Sequence, residues 1–203
     1  MKLNSFIQLF IFIITISCVK NDFNSKNTEI LKQHKENFLT SLTSHFPNKI
    51  GNNVIIAYNE DIKNNNIHLY LLENNVKIGV IDSLKKNFTK NRVKPKKVNR
   101  NEIYIINKNE KVIDGFSEFT NNIITINKES KYPIPNFLDL NNKILYDLSY
   151  DYYIIDYNND IQKFKNLDLK KDTYMPLNKQ NGMSKGIAIS ELHKTIIFWI
   201  ALW

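Results

Sequence analysis

The sequence predicts an α+β fold: an N-terminal amphipathic helix and an antiparallel sheet closed by an apolar C-terminal hairpin strand. Three observations carry that prediction. Leu31, Phe38, Leu42 and Phe46 recur at near-helical spacing, and segments rich in Ile, Val and Tyr with period-two character fill the middle of the chain. The chain ends in Gly186–Ser190, a polar Glu191–Lys194 and the apolar run Thr195–Trp203, the pattern of a hairpin.

Taken in order, the helix is expected from Thr28, with Asn27 as its N-cap, and Pro47 closes it. Asn53–Tyr58 and Ile67–Leu72 are rich in branched and aromatic residues and flank an Asn-rich turn, so they read as a hairpin. A short helix follows at Ser83–Lys90, where Leu84 and Phe88 stand four apart and Asp82 or Ser83 supplies the cap. Glu102–Lys108 and Asn122–Lys128 alternate as half-buried strands, with Asp114 and Gly115 in their connection. Tyr132–Pro135 carries two prolines and reads as an ordered surface loop, and Asp151–Tyr157 as another strand. The second arm of the C-terminal hairpin is almost continuously apolar but too short to span a bilayer, since a spanning helix needs roughly 20 such residues. It is therefore expected as a central strand buried on both faces. Each large apolar side chain fully buried contributes roughly 1.5–3 kcal/mol, so loss of Phe198–Trp203 should exceed the stability margin of an ordinary domain.

The N-terminus has a different character. Lys2 precedes the apolar run Phe6–Ile16, followed by the small residue Ser17 and then Cys18, the arrangement of a secretory signal. Residues 1–17 are read as a signal peptide and 18–27 as the lipidated cysteine with a polar, flexible tether. Residues 28–203 then form one α+β domain. Thr15-Ile16-Ser17-Cys18 resembles the lipobox of bacterial lipoproteins, with Thr15 where that pattern usually has Leu, Val or Ile. The resemblance, confined to the first 18 residues, is to the small lipoproteins of Gram-negative bacteria. It implies that Cys18 is the lipidation site and the mature N-terminus, and that the body is held on a membrane facing periplasm or exterior.

Cys18 is the only cysteine, so acylation would leave no thiol for a disulfide, and stability must come from burial. The formal charge is +8, with its densest basic stretch at Asn91–Arg100. A secretory signal argues against a nucleic-acid partner, and abundant Lys, Asn and Ile with few Gly reads as compositional bias. Asn91–Arg100 is expected as a solvated loop, with attraction to an anionic membrane or glycan surface as the alternative. His34 and His45 are too far apart to share a metal from adjacent turns and read as surface or flanking residues. Asp156, Asn158 and Asp160 have the first three spacings of a calcium loop, but Ile161 and Leu167 occupy the places of its glycine and glutamate. No metal site and no cofactor is expected.

Asn181–Gly186 reads as a tight turn entering the hairpin, with Ser184 and Lys185 as candidate ligand contacts. Gly182-Met183-Ser184-Lys185-Gly186 also spells the G-x-S-x-G of hydrolases, although a strand pattern comes next where the nucleophile elbow requires a helix. The tyrosines cluster at 146–157, and Tyr153 and Tyr157, expected on one strand face opposite Tyr152, are candidate interface residues. The expected function is a non-enzymatic, lipid-anchored envelope protein that binds a protein or glycan, or protects against one as an immunity-like module. The alternative is a periplasmic serine hydrolase centred on Ser184.

Overall fold

The computed structural model describes residues 25–61, 66–90, 95–99, 102–106, 131–135, 137, 149–159 and 181–203. The predicted signal peptide, Cys18 and the predicted strand Asn122–Lys128 lie outside them. Residues 25–36 form a helix, α1, followed by α2 at Thr40–Thr43. Strands β1 (Val54–Asp61) and β2 (Asn66–Glu73) precede helix α3 (Ile78–Lys90) and the short strands β3 (Lys96–Val98), β4 (Ile103–Ile106) and β5 (Tyr132–Pro135). β6 (Asp151–Asn158), β7 (Met183–Ser190) and β8 (Thr195–Leu202) complete the chain. Six strands make one antiparallel sheet in the order β1-β2-β8-β7-β6-β3, while β4 and β5 pair in parallel as a separate two-stranded sheet.

The C-terminal hairpin does not close the sheet. β8 and β7 are its two middle strands, every residue of both is buried, and among the described residues the sheet is open with β1 and β3 at its edges. Strand periodicity then divides the core. Leu71, Phe198, Ile187 and Tyr153 lie in one cross-strand row facing Leu31, Phe38, Leu42, Phe46 and Ile81 of the helical segments. The next row, Tyr70, Trp199, Gly186 and Ile154, faces Ile134 of β5 and Phe137. The helices cover one face of the sheet and the β4–β5 pair packs against the other.

Glycine makes room for tryptophan in this arrangement. Trp199 and Gly186 are cross-strand partners, and a Cβ on Gly186 would lie 2.5 Å from the Trp199 ring and 2.4 Å from the Tyr153 carbonyl oxygen. Four residues away the motif repeats: Gly182 and Trp203 exchange backbone hydrogen bonds of 2.8 and 3.1 Å, and a Cβ on Gly182 would come within 2.6 Å of the Trp203 ring. Both indoles are fully buried. The absent side chain on β7 is filled by the aromatic one on β8.

Several expectations are corrected. The predicted helix from Thr28 to Pro47 is two helices, because Leu39 takes an extended backbone (φ −58°, ψ 137°). The second helix ends at Thr43, and the Ser41 carbonyl in its last turn accepts from Lys185 Nζ at 2.6 Å as well as from Ser44 Oγ at 3.3 Å. α1 is already helical at residue 25, inside the predicted tether, and α3 begins at Ile78 rather than Ser83. Tyr132–Pro135 is a strand with its last three residues buried, since a two-stranded parallel pair can host prolines whose missing N–H groups need no second neighbour. Within the predicted solvated loop Asn91–Arg100, Lys96–Val98 pairs with β6 and buries Val98. The predicted turn Asn181–Gly186 is strand from Met183 onward.

Gly186→Ala is expected to lower stability by about 3 kcal/mol, near the upper end of the usual overpacking cost, because backbone and a buried indole both block the new methyl. Chemical denaturation should show a lower midpoint with an unchanged slope.

Candidate functional site

The candidate residues meet on β6 and β7 but not at one site. Ser184 and Lys185 are successive residues of a strand and point to opposite faces. Ser184 is fully buried towards β5, and its hydroxyl donates to the Pro133 carbonyl. Its neighbour enters the helical face, where the ammonium donates to Ser41. Burial lowers the Lys185 pKa, partly countered by the charge of Asp156, its cross-strand partner. The lysine thus fastens the middle of the sheet to α2 by hydrogen bonding to one of its carbonyls.

The two tyrosines are also separated, and the cause is a β-bulge. Pairing of β6 with β7 shifts between Ile154 and Asp156, so Ile155 has no partner on β7. Tyr153 therefore packs on the helical face against Phe88, at 4.9 Å between ring centroids. Tyr157 joins Tyr152 on the other face, edge-on to Tyr132 at 5.4 Å and stacked with Trp203 at 6.4 Å. Burial raises the phenol pKa of both. The expectation that Tyr153 and Tyr157 share a face opposite Tyr152 is corrected, because one extra residue reverses the alternation. Both rings are half-buried and have aromatic partners within the domain.

His45, read as a surface or flanking residue, is instead drawn under the sheet. Its Nε2 lies 2.9 Å from the Trp199 carbonyl oxygen, which makes it the donor, and Nδ1 is buried without a hydrogen bond of normal geometry. Desolvation, with the nearby charges of Lys185 and Lys35, lowers its pKa to about 3 despite that backbone hydrogen bond. On the opposite face of the sheet, His68 stacks with Tyr70 at 6.1 Å, and burial lowers its pKa to about 4. His34 stacks on Tyr58 at 4.7 Å. Neither His45 nor His68 had a spacing that would have marked it.

Around the β7–β8 turn the charges are organised into pairs. Lys85 of α3 reaches Glu191 at 2.5 Å and Asp151 at 3.9 Å, while Lys97 meets Asp151 at 2.8 Å. Burial lowers the Lys85 pKa but these partners outweigh it, so the net shift is upward. On the other face Lys96 contacts Glu102 at 3.2 Å and the Tyr132 hydroxyl at 3.0 Å, joining β3 to the β4–β5 layer. Among the described residues no group of three or more His, Cys, Asp or Glu is placed to hold a metal, and no helix is long and apolar enough to cross a membrane.

Comparison with known proteins finds no matching family model, no matching curated protein and no matching solved structure.

The two depressed histidines set an acid limit. Each binds a proton more readily in the unfolded chain, at an ordinary pKa near 6.5, than in the fold, at about 3 for His45 and about 4 for His68. Their contribution is complete above pH 6.5 and is lost as pH falls towards those values, by about 1.4 kcal/mol per pH unit for each. Glu73, whose carboxyl is pushed up by burial, works in the opposite sense at the lower end of this window. Urea denaturation between pH 7 and 4.5 should show a stability falling with acid, and the double variant His45→Gln, His68→Gln should show a flatter profile.

Proposed function

We propose that this chain is a lipid-anchored protein of the bacterial cell envelope, in which an α+β body binds or neutralises another macromolecule without an enzymatic step. The observation that carries the reading is Thr15-Ile16-Ser17-Cys18 directly after the apolar run Phe6–Ile16. The spacing after the cysteine supports it: a short polar segment separates Cys18 from helical residue 25, so the body would sit close to the membrane that holds it. The disposition of the candidate nucleophile also bears on the choice. Ser184 is the second residue of β7, inside the strand, with its hydroxyl committed to a backbone carbonyl, a role that ties the two sheets together. A binding or immunity-like body needs only a stable surface, and the fully buried central hairpin supplies the rigidity for one.

The intact mass of the protein extracted from membranes, beside that of Cys18→Ala made in the same host, tests the proposal. A chain beginning at Cys18 with added acyl mass, absent from the variant, is the expected result. An unlipidated chain would remove the anchor and with it the envelope assignment.

A further inference from the structure

The two edges of the six-stranded sheet are unlike. β3 has three residues, of which Lys96 and Lys97 are exposed, and short length and lysines are what commonly keep an edge from pairing with another chain. β1 has neither protection. It runs for eight residues with no lysine and no proline, its register with β2 is unbroken from Val54 to Asp61, and Val54–Asn59 are half-buried. Val54, Ile56 and Tyr58 pack on the helical face of the sheet, Ile55 and Ala57 on the other.

The backbone groups that β1 turns outward can be named. In an antiparallel pair, residues alternate between those that exchange hydrogen bonds with the neighbouring strand and those whose N–H and C=O point away from it. Asn74 N donates to the Asn53 carbonyl at 2.8 Å, one step before the Val54–Glu73 partners, which fixes the phase. Ile55, Ala57 and Asn59 therefore bond to β2, and Val54, Ile56, Tyr58 and Glu60 point outward. Among the described residues β1 has no neighbour on that side and these groups have no backbone partner there.

We propose that β1 pairs antiparallel with β1 of a second copy of this chain, about a two-fold axis at Ala57. The strand is complementary to itself in one register. Val54 opposite Glu60 of the second copy, and Ile56 opposite Tyr58, use every outward group of both strands, each pair exchanging two hydrogen bonds. Ile56 beside Tyr58 is an aromatic and β-branched pair of the kind that stabilises antiparallel strands, and the symmetry makes it twice. Ala57 meets its own counterpart across the axis, where a small side chain leaves room. Glu60 and Asp61 stand together at one end of β1, so the two-fold carries them to opposite ends of the pair and no like charges are opposed. The axis is perpendicular to the sheet, which keeps both helical layers on one side of the joined sheet. Dissociation frees the edge again, so β1 opens without unfolding of the hairpin. The inference stands apart from the lipid-anchored reading and needs no anchor.

The test uses the full chain purified in mild detergent. Sedimentation is expected to give the mass of two chains, and a single-chain mass at every concentration overturns the proposal. Disulfide trapping then reads the register. Residues facing each other in a non-hydrogen-bonded pair have Cα atoms about 4.5 Å apart, within the roughly 4.4–6.8 Å that a disulfide spans. On oxidation Ala57→Cys should link to itself, whereas Ile55→Cys and Asn59→Cys should link only when the two variants are mixed. Linked peptides are identified by mass, so a bond through Cys18 is not counted. A two-chain species in which the cysteine of Ala57→Cys stays reduced overturns the proposal, because that dimer uses another surface. Self-linking of Ile55→Cys as readily as of Ala57→Cys also overturns it. Ala57→Lys, which opposes two like charges across the axis, should sediment as one chain, and mixing it with Ala57→Glu should restore the mass of two; where Ala57→Lys does not fold, the cysteine variants still decide. Protection of the introduced thiol only on native envelopes, with a single-chain mass in detergent, would overturn the proposal in favour of a strand from another protein.

Discussion

The structure depends on two indole rings packed into the space beside two glycines. Trp199 and Trp203 stand four residues apart on β8 and its end, Gly186 and Gly182 four apart along β7 and its start, and each ring occupies the space its partner's side chain would have needed. This allows two neighbouring strands to be buried along their whole length with bulky residues on both faces. On the helical side Phe198, Ile200 and Ile187 receive α1, α2 and α3; on the other, Trp199 meets Phe137 at 5.6 Å and Tyr70 lies beside it. The remaining strands add to the hairpin outward, β2 and β1 on one side and β6 and β3 on the other.

Much of this is legible in the sequence because burial leaves a pattern. An apolar run such as Thr195–Trp203 that is too short for a bilayer has few places to go except the middle of a sheet, and β8 is there. Leu31, Phe38, Leu42 and Phe46 all reach the core, although the helix carrying them breaks at Leu39. Periodicity reports which residues face inward and not whether the backbone between them is continuous. The break is favoured by hydrogen bonds that tie this segment to distant parts of the chain, Lys185 to the Ser41 carbonyl and His45 to that of Trp199, and a local reading of residues 28–47 contains neither partner. Tyr132–Pro135 is obscured for a related reason: two prolines argue against a central strand, but β5 is half of a two-stranded pair.

The candidate site is less legible, and geometry explains why. Adjacent residues in sequence suggest a shared site only where the backbone turns; in β7 the same adjacency sends Ser184 and Lys185 to opposite layers. The bulge at Ile155 does the reverse, bringing Tyr157 to the face of Tyr152 and away from Tyr153. His45 gives no sign of its position, since the carbonyl it meets is 154 residues away.

Native-state hydrogen exchange would decide whether the glycine–tryptophan hairpin supports the rest of the fold, because it ranks each amide by the free energy of the opening that exposes it. With the hairpin as that support, the amides of β7 and β8 should exchange only through global unfolding, and those of α1 and the edge strand β1 should exchange faster through local opening. Hairpin amides that exchange as quickly as those of α1 would show that the support lies elsewhere.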